Sequence, residues 1–142
     1  MKPEFMIQVS LIKRLYDQCM ELVLSQYDIK RTELDILLFL ANHPQLDTAS
    51  DIIHHRGLAK SHVSTSIQHL IMEGLLSSHK SGSDRKKIHL HIEDKAEDML
   101  VAGKAAQAKF FQTMVVDFTK EEIDTLTHLF DRMEHNIRNA VN

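Results

Sequence analysis

Apolar residues recur at helical spacing along most of this chain and give way to strict alternation over only one short stretch. From Phe5 to Gln26 the positions Ile12, Leu15, Cys19 and Leu22 form a stripe, flanked by Leu11, Tyr16, Met20 and Val23. That spacing predicts a long helix whose apolar surface is wide enough to need more than one neighbour. Thr32 and Asp35 resemble a cap for a second helix, Glu33 to Asn42, in which Leu34 and Ile36 to Leu40 are nearly continuous, so it should be surrounded by protein until His43-Pro44 ends it. Thr48-Ala49-Ser50-Asp51 reads as a capping box opening a short helix, with Ile52 and Ile53 as core candidates and Gly57 as a left-handed stop. Between Ala59 and Gly74, Val63, Ile67, Leu70 and Ile71 make one narrow stripe. Leu75 to Lys80, a turn at Ser81-Gly82-Ser83-Asp84, and Arg85 to Ile92 then read as a hairpin. In its second strand Ile88, Leu90 and Ile92 alternate with Lys87, His89 and His91, the period expected when one face is buried and the other wet.

The pattern returns to helix from Glu93 to Asp117, with Met99, Leu100, Gly103, Ala106, Phe110 and Met114 on one stripe. A glycine inside a helix costs about 1 kcal/mol relative to alanine, so Gly103 predicts the close approach of another backbone. Thr119-Lys120-Glu121-Glu122 is a second capping box, and after it Ile123, Leu126, Phe130, Met133, Ile137 and Ala140 form a coiled-coil-like seam. The seam and the wide first stripe exceed what one chain can cover, which predicts a symmetric homodimer built from the first, fifth and sixth helices.

The polar side of the helix after Ala59 carries the chemistry. Lys60, Ser61, His62, Ser64, Thr65, Gln68 and His69 are short or flat, rich in donors, and include no carboxylate, which suits a surface that enters a groove lined by phosphates. Helix, tight turn, helix and basic hairpin is the order of a winged helix-turn-helix. On this reading Ser61, His62, Ser64, Thr65 and Gln68 approach bases, and Lys60 and His69 the DNA backbone. The hairpin tip, Asp84-Arg85-Lys86-Lys87, completes the set, with Lys80, Arg85 and Lys86 on phosphates. Charge follows the same division. Between His54 and His91 there are six Lys or Arg and two Asp or Glu, a balance of +4, whereas the remainder has eleven against eighteen, or −7.

At 142 residues and 43% hydrophobic, the chain suits one domain, 1–142. Within it, 30–92 would be the winged helix-turn-helix DNA-binding part, and 1–29 and 93–142 the helical dimerisation part. The fold class is mainly α with a small β-hairpin. No run approaches the length of a membrane span and no basic-then-apolar segment opens the chain, so a cytoplasmic protein without membrane contact is expected. One cysteine, Cys19, excludes an internal disulfide framework, and its place in an apolar stripe predicts a buried, inert thiol. An enzyme is not supported: there is no Gly-rich phosphate loop, no nucleophile elbow, and no paired carboxylates beside a histidine. No cofactor or metal is called for, although His89 and His91 share a strand face and leave a metal-responsive regulator as an alternative. A winged helix used for protein contact is the other.

With Asp84-Arg85-Lys86-Lys87-Ile88-His89-Leu90-His91-Ile92 in the wing, the whole chain resembles the multiple antibiotic resistance regulator (MarR) family of bacterial transcription factors. The family's wing pattern is Asp, any residue, Arg, then an alternating strand. Here the third position is Lys86, with Arg85 beside it. The resemblance implies that Asp84 braces a basic side chain, Arg85 or Lys86, that enters the minor groove. Other departures are Ala59, where the family often has a Ser or Thr cap, and Glu93 and Ala96, where Thr and Gly commonly follow the wing. The resemblance further implies a sequence-specific DNA-binding regulator, a repressor on a pseudo-palindromic operator. A small, often aromatic or anionic, molecule would release it by wedging into a crevice. Tyr16, Met20, Phe39, His43 and Phe110 are the expected lining.

Overall fold

The leucine-rich second helix is the centre of the fold, and the rest of the chain up to Ala108 is laid against it. The computed structural model describes residues 3–83 and 86–141. Its elements run α1 (Phe5–Tyr27), α2 (Arg31–Asn42), α3 (Ala49–Arg56), α4 (Lys60–Met72), β1 (Leu76–Lys80), β2 (Ile88–Ile92), a 3-10 turn (Asp94–Ala96), α5 (Glu97–Met114) and α6 (Lys120–Val141). Two compact units result, one ending at Ala108 and the other beginning at Lys109.

In the first unit Leu34, Ile36, Leu37, Leu38, Phe39 and Leu40 of α2 are all buried, as their nearly continuous run predicts. Around them gather Met20 and Val23 of α1, Ile52 of α3, Val63, Ile67 and Leu70 of α4, Leu76 and Leu90 of the hairpin, and Met99 of α5. Burying each such side chain stabilises the fold by about 1.5–3 kcal/mol before chain entropy is counted. The cap of α2 lies earlier than Thr32 and Asp35 suggest. Lys30 is the N-cap residue, and its backbone N–H points at Glu33 Oε2, 3.5 Å away. The cap of α3 is as expected: Thr48 Oγ1 accepts from Asp51 N–H at 3.2 Å, Asp51 Oδ2 accepts from Thr48 N–H at 3.1 Å, and Gly57 closes the helix at φ +61°.

On α1 the covered line is Met20 and Val23, with Tyr16, Leu24 and Tyr27 beside them. The predicted stripe sits on the flank instead: Cys19 is half-buried rather than buried, and Ile12 and Leu22 are exposed. A stripe so wide has two edges, and the first unit covers one of them. Gly103 does mark a close approach, but of a side chain and not a backbone. A Cβ added there would lie 2.9 Å from Cδ2 of Leu38. On α4, Ile71 lies at the margin of its stripe and is exposed, while Gly74 follows the helix at φ +74°.

β1 and β2 pair antiparallel, with Leu76 opposite Ile92, His79 opposite His89 and Lys80 opposite Ile88. The second strand therefore starts at Ile88, and Lys86 and Lys87 belong to the turn. Its alternation holds at Leu90, which is buried, and fails towards the tip, where Ile88 is exposed.

In the second unit Thr119 and Glu122 form the predicted capping box, with Glu122 N–H donating to Thr119 Oγ1 at 3.2 Å and Thr119 N–H to Glu122 Oε2 at 2.8 Å. No described residue of α6 is buried. Its seam residues Phe130, Met133 and Ile137 are all exposed, at 42–56% of their surface.

Candidate nucleic-acid interface

The helix-turn-helix positions α4 through three buried residues, Val63, Ile67 and Leu70, each facing the leucine-rich α2 or its neighbours. With those inward, the opposite face is fixed by helical geometry. Lys60, Ser61, His62, Ser64, Thr65 and Gln68 all stand exposed, on a helix whose N-terminus bears no acidic residue. The free N–H groups of that first turn carry partial positive charge, and Ala59 provides no side chain to cap them.

His69 is placed differently from the other six. Its Nδ1 donates to Oε1 of Glu33 at 2.8 Å, and its Nε2 lies 3.6 Å from Glu73 Oε1. Among the described residues Glu33 is the one charged residue in the core, 4% exposed. The ring thus braces α4 against α2, with a carboxylate near each of its nitrogens.

The wing continues the exposed face. Lys80, Lys86 and Lys87 are exposed, whereas the predicted contacts Asp84 and Arg85 lie outside the described residues. His89 is not a free surface ring. It is half-buried, its Nδ1 donates to Oδ1 of Asp47 at 2.8 Å, and the ring of His79 stacks on it with centroids 5.5 Å apart. A carboxylate only accepts, so Nδ1 carries the proton in this contact. His91, two residues on, is exposed. Among the described residues no group of three or more His, Cys, Asp or Glu side chains is arranged to hold a metal ion.

The expected crevice residues are brought together only in part. Tyr16, Phe39 and His43 line a pocket of about 80 Å³ with Asp35, Asn42, Arg56 and Gln107. His43 stacks on Phe39 at 4.7 Å, and the hydroxyl of Tyr16 accepts from Gln107 Nε2 at 3.1 Å. Met20 is fully buried in the core and does not line it, because the covered line of α1 runs through that position. Phe110 belongs to the second unit. Arg56, which the sequence did not single out, supplies the pocket's cation and reaches Asp35 Oδ2 at 3.4 Å. Asp35 also accepts from Arg31 Nε at 3.1 Å, and Arg31 from there reaches Asp17 at 2.7 Å. Hydrogen bonds from Lys13 and Arg31 hold the Asp17 carboxyl below its ordinary range. Arg31 is pushed the other way, upward by Asp35 and Asp17 against the opposing effect of its own burial.

Among the described residues no helix is long and apolar enough to cross a membrane. Residues 27–87 match the model of the MarR family. No curated protein matches the chain. Among solved structures, a MarR family transcriptional regulator from Listeria monocytogenes, complexed with a 26mer DNA, superposes with a TM-score of 0.85 at 17% identity, covering 99% of this chain and 92% of that one. A MarR protein from Peptoclostridium difficile gives 0.80 at 16%, covering 99% and 91%. The S. aureus MepR–DNA complex gives 0.73 at 19%, covering 93% and 97%. Identities this low speak for the fold alone. Residues 27–87 thus match the MarR family model, within a chain that shares the fold of these MarR structures.

Proposed function

We propose that the chain is a homodimeric repressor that binds a pseudo-palindromic operator, with the α4 helices in successive major grooves and the wings on the flanking minor grooves. The observation that carries this is the exposed, carboxylate-free face of α4 together with the exposed lysines of the wing. Two of the similar structures, from Listeria monocytogenes and S. aureus, were solved with DNA, which supports the same use here. The uncovered seam of α6 supports dimerisation, since a monomer would leave Phe130, Met133 and Ile137 in water. Each protomer would set Lys60, Lys80, Lys86 and Lys87 near phosphates.

The pocket at Tyr16, Phe39 and His43 is the place we assign to an effector. At about 80 Å³ it holds only a fragment, so a ligand has to part the Phe39–His43 stack or the Arg56–Asp35 contact to enter. An effector that moves α3 in this way lowers DNA affinity by its coupling energy, typically 1–3 kcal/mol. The repressor reading is tested by sedimentation and by duplex selection from a random pool. The expected results are a dimer at micromolar concentration and enrichment of an inverted repeat with half-sites about one helical turn apart. A monomer, or enrichment of no sequence, refutes it.

A further inference from the structure

The hairpin meets the rest of the molecule through few contacts. Leu76 and Leu90 anchor its base in the core, but towards the tip the strand leaves the body: Ile88 is half-exposed. Between the wing and the start of α3 lies an open cavity of about 540 Å³, walled by Gln45, Asp47, Ser50, Lys86 and His89 among others. The gap is open, so polar contacts between the wing and the approach to α3 bear on the angle at which the wing stands.

Asp47 makes one such joint. Its backbone carbonyl accepts from the N–H of Leu90 at 2.8 Å, and its carboxylate accepts from Nδ1 of His89 at 2.8 Å. The two bonds grip consecutive residues of β2, which fixes rotation about the strand as well as its distance. His79, directly opposite in the ladder, stacks its ring on His89 with an interplanar angle of 25°. The imidazole is therefore held at its edge by a carboxylate and on its face by a ring. Asp47 is also the residue immediately before Thr48, the N-cap of α3. One residue thus ties the wing to the first helix of the reading pair.

We propose that Asp47 is a positioning residue for DNA binding: acting through His89, it aims the wing at the groove beside the one read by α4. This rests on the DNA-binding reading above. The wing's contribution to affinity then depends on the Asp47–His89 bond, while base discrimination beneath α4 does not, because α4 is held by its own contacts with α2.

The test uses the full-length chain and duplexes that the wild type enriches from a random-sequence pool, with affinity read by fluorescence anisotropy at fixed salt. Asp47→Ala and His89→Ala should each weaken the enriched duplex about tenfold, the scale of one hydrogen bond to a charged group. The double variant should be no weaker than the worse single one, since both remove the same bond. Asp47→Asn keeps an acceptor oxygen and should recover most of the affinity. Re-selection with Asp47→Ala should leave the preference under α4 intact while the salt slope of binding falls as wing–phosphate contacts are lost, a split that general destabilisation does not produce. Additive losses, or a preference weakened equally at all positions, overturn the proposal. If Asp47→Ala melts below the assay temperature, His89→Ala carries the same expectations with the Thr48 cap and its neighbour intact. Variants that match a DNA-binding wild type refute the positioning role alone. A wild type that enriches no duplex refutes the DNA-binding reading, and this proposal with it.

Discussion

Replacing His69 by alanine should cost stability and leave the reading of DNA largely unaffected. The Glu33 side chain is 5% exposed, and its carboxylate has two donors: His69 Nδ1 at 2.8 Å and the Lys30 N–H at 3.5 Å, the limit of a hydrogen bond. Without the ring, a buried charge is left with only the weak donor. Breaking a buried ion pair from one side costs about 3–5 kcal/mol. Here the partner is 48% exposed, so water can enter the space it leaves and recover one lone pair. The loss should fall nearer that of a charged hydrogen bond, about 2 kcal/mol. With a urea slope of about 2 kcal/mol per molar, the unfolding midpoint should drop by about 1 M. The comparison has to be made at equal protein concentration, because a dimer's midpoint moves with it. Glu33→Leu combined with His69→Ala removes both partners and should recover much of the loss, since no buried charge remains. DNA affinity of the single variant, measured well below its midpoint, should change less than threefold, a scale set by the absence of a phosphate contact. An unchanged midpoint together with a tenfold weaker complex would falsify the bracing role and make the imidazole a phosphate ligand.

Other outcomes follow from the same geometry. Gly103→Ala should gain about 1 kcal/mol of helix propensity and lose about 1–3 kcal/mol to the clash with Leu38, for a net destabilisation read in urea; a more stable variant would mean that Leu38 can turn aside. Because Lys13 and Arg31 depress the Asp17 carboxyl in the fold, its contribution is present above the ordinary carboxylate range near 3.8 and is lost as pH falls below it. Asp17→Asn should therefore lower stability at pH 7 and bring the two proteins together at pH 2–3, and a constant difference across that range would contradict the assignment. Gln68→Ala should relax preference at one base position, whereas Lys86→Ala should weaken all sequences alike and reduce the salt slope by about one; the opposite pattern would exchange their roles.

Much of this was legible in the sequence because it is local. Thr48 with Asp51, Thr119 with Glu122, Gly57 and the run Leu34 to Leu40 each declare their structure within four or six residues, and each stands as its pattern predicts. What sequence could not settle is which side of a surplus apolar surface is covered. On α1 the stripe through Ile12 and Leu22 is as regular as the buried line through Met20 and Val23, and periodicity alone gives no preference between two edges of one helix. Gly103 carried a readable signal of close packing, but the partner, Leu38, is far along the chain and of a different kind from the backbone expected.

The histidines show the same limit in a form that bears on function. Composition puts seven of the ten between His54 and His91, which suggests a surface supplied with rings for phosphate. Two of those rings are instead committed to carboxylates, His69 to Glu33 and His89 to Asp47, across separations of 36 and 42 residues. One clue was available: Glu33 is an acid at the head of a helix otherwise fated for burial, and a buried carboxylate requires a donor. Asp47 gave none, since an aspartate before an N-cap is ordinary on a surface. Both pairs tie the elements that would face DNA to the body behind them, α4 to α2 and the wing to the approach of α3. Bases and phosphates select on where a donor stands, so the residues that set those positions can matter as much as those that touch. Such residues appear in no local motif, because their partners are chosen by the fold.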